Sequence, residues 1–424
     1  MLFSSAIRFT LVFITALLFI RIANSGETEP RIIDVTTAAE LSAALKSTKG
    51  GETIRLAAGQ YGELRLSGTR GKVSEPVTLV SADADKRAVF SVVSLKKVSA
   101  LKFVNLTFDY VSKYGASQSG SPFKVMDSEN ITFQNVVFDG DLAKGVNPVE
   151  DGYGTGRGLV VRFSNHITVQ NCLFRNWYRA AAFGGTRNLK VLNNEVVASS
   201  SDAFDFTQVE DVLIARNHLH DFTRAPGSSA HADMIQFWTA GSKATSVPSR
   251  NITIIDNFLD MGAGTSAQAI FIRNERVDQG TAGFEMFYKN IVISNNVIAT
   301  RHQHGITVGE TDGLVINHNT VIQKAGPPSQ KEIPLPMIKV SKSAVNVTVT
   351  DNISSALSTS ISVPPQGWKV KNNVVVQAHD KNMPNFVGKI LANPLVAGSS
   401  SRADFMVIPE SSTYKLQAGA KANN

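Results

Sequence analysis

The sequence is poor in cysteine: Cys172 is the one cysteine in 424 residues. This excludes an internal disulfide and a metal cluster built from several thiolates. Charged residues make up 18% of the chain and hydrophobic residues 43%, which is typical of a globular protein and excludes a disordered one. No basic run and no helix suited to a nucleic-acid groove is present, so nothing indicates binding to nucleic acid.

Long apolar runs are absent except at the start, in "MLFSSAIRFTLVFITALLFIRIANSGETEP". Arg8, the apolar stretch Phe9–Ile20 and the small residues Ala23, Asn24 and Ser25 are typical of a signal peptide that is cleaved near Ser25. The 12-residue run is short for a membrane anchor. We therefore predict that residues 1–25 are a signal peptide, and that the protein has no stable membrane insertion once it is cleaved.

Export of a moderately basic protein favours an anionic partner. The formal charge is 42 − 35 = +7, and removal of Arg8 and Arg21 with the signal leaves +5. Five Asn-X-Thr/Ser sequons lie in strand-like "NIT" and "NVT" runs, so we interpret them as strand composition in a bacterial protein. These features predict a secreted or periplasmic location.

The chain repeats one unit, an alternating apolar strand with an Asn near its end and a second short strand. Examples are "ITVQNCLF", "VLIARNHLH", "ITIIDNFLD", "IVISNNVIA" and "LVINHNTVI". The Asn positions are 105, 135, 171, 194, 217, 257, 296, 319, 352 and 373, with shortest spacings of 21–23 residues. Three strands and three turns per repeat predict an all-β, parallel β-solenoid of about ten rungs. We interpret the Asn residues as one structural column that bridges rungs and tolerates left-handed turns.

Non-repeating segments flank this unit. Thr36 or Thr37 followed by Leu41, Ala44 and Leu45 predicts a short amphipathic helix that caps the N-terminal end. The repeat fades after residue 377. We therefore predict a single domain over residues 26–424, with an N-terminal cap at 33–60, repeats at about 75–377 and a C-terminal cap at 378–424.

One strand per rung carries unusual polar chemistry. Aligning "DAFDF", "DMIQF", "QAIFI", "HGITV" and "PMIKV" places apolar residues at the third and fifth positions, so the fourth position faces outward. The outward residues are Asp205, Gln236, Phe271, Thr307 and Lys339, followed two positions later by Thr207, Trp238, Arg273, Gly309 and Ser341. With rungs about 4.8 Å apart, they form a strip roughly 15–20 Å long between inserted loops.

This strip is our candidate site. The predicted catalytic residues are Asp202, Asp205, His231, Asp233, Arg273, His304 and Lys339, and the predicted substrate contacts are Gln236, Trp238, Gln268, Tyr288, His302, Thr307 and Lys342. Trp238 and Tyr288 could stack on sugar faces. Asp202, Asp205 and Asp233 could hold calcium, and His302, His304 and Asp233 a transition metal, although neither spacing is diagnostic.

The repeat, the Asn column and the leader resemble the right-handed parallel β-helix proteins of the pectate-lyase superfamily. The stretch "AAELSAALKSTKGGETIRLAAGQYGELRLSGTRGKVSEPVTLVSAD" is similar to the N-terminal segment of the chondroitinase-B and alginate-lyase family, and "IKVSKSAVNVTVTDN" to its lysine-bearing rung, with Lys342 at the matching position. That resemblance implies a lysine base, an arginine and calcium-bound acids; the following rung lacks the arginine. "HGITVG" and "SDAFDF" resemble segments of polygalacturonases.

Four functions fit these residues. A polysaccharide lyase needs a base, here His231, His304 or a lysine, and a cation such as Arg273 or Lys339 to neutralise the uronate carboxylate. A C5-epimerase shares the first half of that mechanism. A glycoside hydrolase would use two of Asp202, Asp205 and Asp233, and a non-catalytic surface protein would only bind the polymer. We predict an exported enzyme on an acidic polysaccharide, with β-elimination the first expectation.

Overall fold

The computed structural model describes residues 31–68, 75–239, 246–325, 334–398 and 400–408. The predicted signal peptide lies outside these ranges. Nearly all regular structure within them is parallel β-strand, coiled so that the chain passes repeatedly through three faces, here called A, B and C. Within the described residues, no helix is long and apolar enough to cross a membrane.

Each face is a stack of short strands from successive rungs. Face A comprises thirteen strands among the described residues: Ile32–Val35, Thr53–Leu56, Val77–Ser81, Ser99–Val104, Glu129–Gln134, Asn165–Gln170, Arg187–Leu192, Glu210–Ala215, Arg250–Ile255, Tyr288–Ser294, Thr311–Asn317, Val345–Thr350 and Lys369–Lys371. Face B comprises Gly59–Ser67, Ala88–Lys96, Phe123–Met126, Arg157–Arg162, Arg179–Gly184, Phe204–Thr207, Asp233–Trp238, Gln268–Ile272, His304–Val308, Met337–Val340 and Ala356–Leu357. Face C comprises Thr107–Asp109, Val137–Asp139, Leu173–Arg175, Glu195–Val197, His218–His220, Phe258–Asp260, Val297–Thr300, Thr320–Gln323, Ile353–Ser354 and Val374–Val375.

Alternation along each strand creates the core. Side chains at every second position point inward, where equivalent residues of neighbouring rungs stack on one another. Phe138 stacks on Phe174 with ring centroids 4.4 Å apart, and Phe206 on Phe237 at 4.6 Å. The predicted parallel solenoid is therefore confirmed, and its hydrophobic core runs along the coil axis.

The asparagines form two columns, which corrects the single column expected from the sequence. Asn194, Asn217, Asn257, Asn296, Asn319, Asn352 and Asn373 form an inner ladder, in which each side-chain amide nitrogen before the last donates to the oxygen of the next. Asn105, Asn135 and Asn171 belong instead to a neighbouring outer column with positive φ. Buried Cys172 precedes the ladder and donates its backbone N–H to Asn194 Oδ1 at 2.9 Å. The inner column thus bridges successive rungs, and the adjacent outer column adopts the left-handed backbone of the turn.

The two ends differ in how they are covered. The helix Ala38–Ser47 begins after Thr37, whose hydroxyl accepts from the Glu40 backbone, and buries the predicted stripe of Leu41, Ala44 and Leu45. The C-terminal segment instead lies along the outside of face C. Phe405 and neighbouring apolar residues there pack on Phe258 and other outward residues of that face in a second small core.

Loops between the faces carry the remaining short elements. They are the hairpin strands Asp141–Leu142 and Gly154–Thr155, the helices Glu275–Asp278 and Thr359–Ser362, and the 3-10 turns Phe284–Met286, Val387–Lys389 and Arg402–Phe405. Ile361 of the second helix is buried in the main core beside the last rungs. Several inserted loops precede face B strands and so surround the polar strip described next.

Candidate functional site

The strand register of face B brings the predicted polar strip together. Asp205 aligns with Gln236, which aligns with Phe271, Thr307 and Lys339 on the following rungs, and Thr207 aligns with Trp238. The alternate residues of the same strands are buried in the core, for example Phe204 and Ile235. The outward column expected from the sequence therefore exists, and the inserted loops determine how much of it is accessible.

The first part of the strip is an acid cluster held by an arginine. Arg179 donates to Asp202 Oδ2 from Nε at 3.1 Å and Nη2 at 2.6 Å, and its Nε lies 2.5 Å from Asp205 Oδ2. Asp202 Oδ1 accepts from the backbone N–H of Asp233 at 3.1 Å. Burial and the negative charge of Asp202 raise the pKa of Asp205 well above its usual range. Asp202 and Asp205 are only 1% and 2% exposed, so neither faces solvent.

The second part is an aspartate–histidine pair. His231 Nδ1 lies 2.6 Å from Asp233 Oδ2; Asp233 is fully buried, whereas the His231 side chain is 59% exposed. The hydrogen bond to Asp233 raises the pKa of His231. Burial raises the pKa of Asp233 to about 6, against the lowering effect of His231. A buried carboxylate thus orients an exposed imidazole and favours its protonated form.

Some of the same groups could hold a metal ion. Asp202, His231 and Asp233 each offer a ligand atom, and these atoms lie within 4.8 Å of one another. The proposed calcium set of Asp202, Asp205 and Asp233 fits less well, because Arg179 already places a positive charge between Asp202 and Asp205. In the described part of the chain, His302 and His304 do not join Asp233 in a group with such spacing.

The far end of the strip carries a different imidazole. His304 Nδ1 lies 2.8 Å from Thr307 Oγ1, and the ring packs edge-on against Phe271. Burial and the neighbouring His302, Lys339 and Arg273 lower the pKa of His304 to about 4. Arg273 is itself paired with Asp278 at 2.8 Å.

His302 lies beside His304, with ring centroids 5.2 Å apart. Burial and the positive charges of Arg224 and His231 lower the pKa of His302. Arg224 belongs to the inserted loop before the Asp233 strand, and its Nη2 donates to the Ser228 carbonyl at 2.8 Å. Its Nε is buried without a hydrogen-bond partner among the described residues.

The predicted substrate contacts differ in accessibility. Trp238 is half-buried on face B, and Lys342 is exposed in the turn after the Met337–Val340 strand. Gln268 aligns with Asp233 on the next rung, whereas Gln236 and Thr307 are 9% and 4% exposed. Tyr288 was wrong as a sugar platform: it is fully buried at the start of a face A strand, where its hydroxyl donates to the Arg273 carbonyl at 3.0 Å.

Three arginines were missed from the sequence: Arg162, Arg179 and Arg224. Arg162 and Arg179 lie on the two rungs before "SDAFDF", which were outside the aligned set. Arg179 could have been identified by extending the alignment to the preceding rung. It stands two residues before the core position Ala181, just as Asp202 stands two residues before Phe204, with which Ala181 aligns. Arg224 lies in a loop with no repeat pattern, so no signal was available for it.

Comparison with known proteins bears on the fold. Residues 234–389 match the family model described as the right handed beta helix region. The protein is a right-handed parallel β-helix. No curated protein matches the β-helix in sequence.

Among solved structures, the β-helix is similar to PfbA, a surface adhesin of Streptococcus pneumoniae. The identity is 14%, the TM-score 0.49, and the match covers 74% of this chain and 84% of that one. It is also similar to the PL6 family polysaccharide lyase Pedsa3628 from Pseudopedobacter saltans (12% identity, TM-score 0.37, 88% and 99% covered) and to pectate lyase Pel9A (15%, 0.36, 91% and 91%). At these identities the similarities concern the fold alone.

Proposed function

We propose that this protein is an exported enzyme that cleaves an acidic, uronate-containing polysaccharide by β-elimination. The observation that carries the proposal is the His231–Asp233 pair, in which a fully buried carboxylate lies 2.6 Å from Nδ1 of an exposed imidazole. The positive formal charge of the chain favours an anionic polymer. His231 is the group of this pair that can reach a substrate.

The chemistry follows from the orientation of the ring. When Nδ1–H donates to Asp233, the lone pair of Nε2 is free to remove the C5 proton of a uronate. The electrons of that C–H bond form the C4–C5 double bond as the C4–O bond breaks, and the leaving oxygen takes up a proton. Asp233 acts as a positioning residue that fixes the tautomer and stabilises the imidazolium.

A cation near C5 is also required, because a free carboxylate opposes formation of the carbanion. Arg224 is our candidate, since it lies in the inserted loop that leads to His231 and its Nε is without a hydrogen-bond partner among the described residues. Arg273 is committed to Asp278, and Lys339 acts on His304 at the other end of the strip. We therefore assign neutralisation of the carboxylate to Arg224 in place of the residues first expected.

Burial argues against the hydrolase alternative. A glycoside hydrolase needs two carboxyl groups that flank the scissile bond. Asp202, Asp205 and Asp233 are at most 2% exposed and contact Arg179 or His231. A C5-epimerase shares proton removal at His231, and the products distinguish it.

The experiment is incubation of residues 26–424 with alginates, pectates, glucuronans and glycosaminoglycans. We expect ultraviolet absorbance to rise as the unsaturated uronate forms, and His231→Ala to abolish the rise. Reducing ends without absorbance would identify a hydrolase, and altered C5 configuration by NMR an epimerase. A polymer that binds but is unchanged would identify a binding protein.

The matched control is His166→Asn. His166 is an exposed histidine on face A with positive φ, and Asn130 and Asn188 occupy equivalent positions on neighbouring rungs. This variant removes an imidazole without disturbing the coil, so it should retain full activity. Equal losses in both variants would contradict the assignment of His231.

A further inference from the structure

Two guanidinium groups on face B have no partner among the residues that the structure describes. In the described part of the chain, the side chains of Arg157 and Arg162 make no hydrogen bond and no ion pair, and Arg157 Nε is buried in this state. Arg179, by contrast, is matched by Asp202 and Asp205. A buried donor without an acceptor is costly, so such groups call for an explanation.

The position of Arg162 depends on a glycine. Its guanidinium lies across Gly184 on the next rung, so closely that a Cβ at residue 184 would overlap Nη1. Beside Gly184, Ala182 aligns with Val160 on one side and Asp205 on the other. Small side chains therefore leave a shallow floor where Arg162 lies flat instead of extending into water.

The arginines are also close enough to act on one another. Burial lowers the pKa of Arg162, Asp205 raises it, and the charges of Arg157 and Arg179 lower it further. Three cations thus share one area in which two carboxylates pair with Arg179. The area has an excess of positive charge and unused donors, which is the character of an anion-binding site.

We infer that Arg157 and Arg162 bind the carboxylate of a second sugar, next to the one that reacts at His231. The inference rests on the proposed function for the identity of the polymer. Arg162 aligns with Gly184, Gly184 with Thr207, and Thr207 with Trp238, so the strand of Arg162 lies three rungs before the Asp233 strand. Its guanidinium, which lies across Gly184, is two rungs before that strand. Two rungs are about 10 Å, too far for the carboxylate of the reacting sugar.

Such a site determines specificity without taking part in the chemistry. A polymer with an acidic sugar at this position gains a charge-assisted, bidentate interaction, and a neutral sugar leaves two cations unmatched. The alternative is that Arg162 only offsets the charge of Asp205. That alternative predicts an effect on stability and none on substrate binding.

The test uses Arg162→Gln, Arg157→Gln and Gly184→Ala in the full mature chain. We expect each to raise KM for the cleaved polyuronate about tenfold, equivalent to about 1.4 kcal/mol, and to leave kcat within about twofold, as loss of uniform binding does. Gly184→Ala is the sharpest variant because it displaces Arg162 without changing the net charge. Lys369→Gln, a charge removed from exposed face A, is the control and should leave KM unchanged.

A readout without turnover separates this inference from the proposed function. Calorimetric titration of His231→Ala protein with an oligouronate should show binding that the Arg162→Gln change weakens, whichever reaction the enzyme performs. Dextran sulfate is a second probe; Arg162-dependent binding of it but not of the oligouronate would overturn the carboxylate assignment. Unchanged KM and oligouronate affinity with a lowered Tm would also overturn it, in favour of charge compensation.

Discussion

His231 and His304 are two imidazoles on the same face of one coil, yet their environments shift their pKa values in opposite directions. His231 is exposed and bonded to a buried carboxylate, which raises its pKa. His304 is bonded to a threonine and lies among His302, Lys339 and Arg273, and its pKa is lowered to about 4. The environment of the first favours the protonated ring, whereas the second is uncharged at neutral pH.

The difference shows that residue type alone does not identify a base. Both histidines were predicted to be catalytic from their place in the repeat. Only His231 has both an orienting carboxylate and a free edge toward solvent. His304 is better suited to packing against Phe271 and to hydrogen bonding as a neutral ring.

The largest expected effect comes from removing the hydrogen-bond partner of each imidazole. Asp233→Asn should lower kcat/KM on the cleaved polymer by about 10²–10⁴-fold, because an amide can donate as well as accept, so it neither fixes the tautomer of the ring nor stabilises the imidazolium. Thr307→Val, which removes the partner of His304 at similar volume, should stay within a few-fold. Steady-state kinetics of both variants, with circular dichroism to confirm folding, measure the contrast.

An equal loss in the two variants would break the comparison and restore His304 as a catalytic candidate. A large loss only in Thr307→Val would reverse the assignments of the two imidazoles. Restoring the carboxylate by Asp233→Glu should recover part of the activity, which a purely structural role of Asp233 would not predict.

The second effect is on stability, and its sign differs between the histidines. The folded-state pKa of His231 is raised, so protonation of this ring stabilises the folded protein. That stabilisation is fully present below the unfolded pKa of 6.5 and is lost as pH rises through the folded pKa. The folded-state pKa of His304 is lowered, so stability is retained above 6.5 and lost as pH falls toward about 4. Relative to wild type, His231→Gln should be more destabilised at acid pH, and His304→Gln less so.

Urea unfolding at about pH 5 and about pH 8 measures these differences. Shifts of the same sign for both variants would show that the environments are alike. His166→Asn serves again as the reference, because no part of the strip contacts it.

The smallest effect is on the pKa of His304 itself. Lys339→Gln removes one of the cations that lower it, so the pKa should rise by a few tenths, since burial and His302 act more strongly. Imidazole NMR titration measures the change. Lys342→Gln, whose charge does not act on His304, should leave it unchanged; a shift of equal size there would show that only net charge matters.

Much of the fold could be predicted because a repeat presents the same pattern many times. The spacing of the Asn residues and the alternation of apolar residues predicted the coil, and the register of Asp205, Gln236 and Phe271 follows from it. The split into two columns was missed because adjacent asparagines, such as Asn193 and Asn194, satisfy the same pattern. The position of the C-terminal segment depends on contacts with face C that no local pattern encodes.

The candidate site was predictable only in part. The alternation of side chains along a strand identifies which residues face outward, but how far those residues are buried depends on the loops that cover them. Tyr288 follows an irregular loop, and its burial is determined by contacts with Thr239 and Arg273 that are distant in sequence. The roles of the arginines depend on which carboxylates they form ion pairs with, and the sequence does not specify those pairs.

The last strand of face A in the described ranges, Lys369–Lys371, has consequences beyond the single chain. A coil of parallel strands ends in an open row of backbone donors and acceptors, on which another chain could continue the stack. Here both outward residues of that strand are exposed lysines, whose charges repel an identical edge. Beside it, the helix Thr359–Ser362 packs on the strand Met337–Val340. These charges oppose continuation of the parallel stack by a second copy of the chain at this edge.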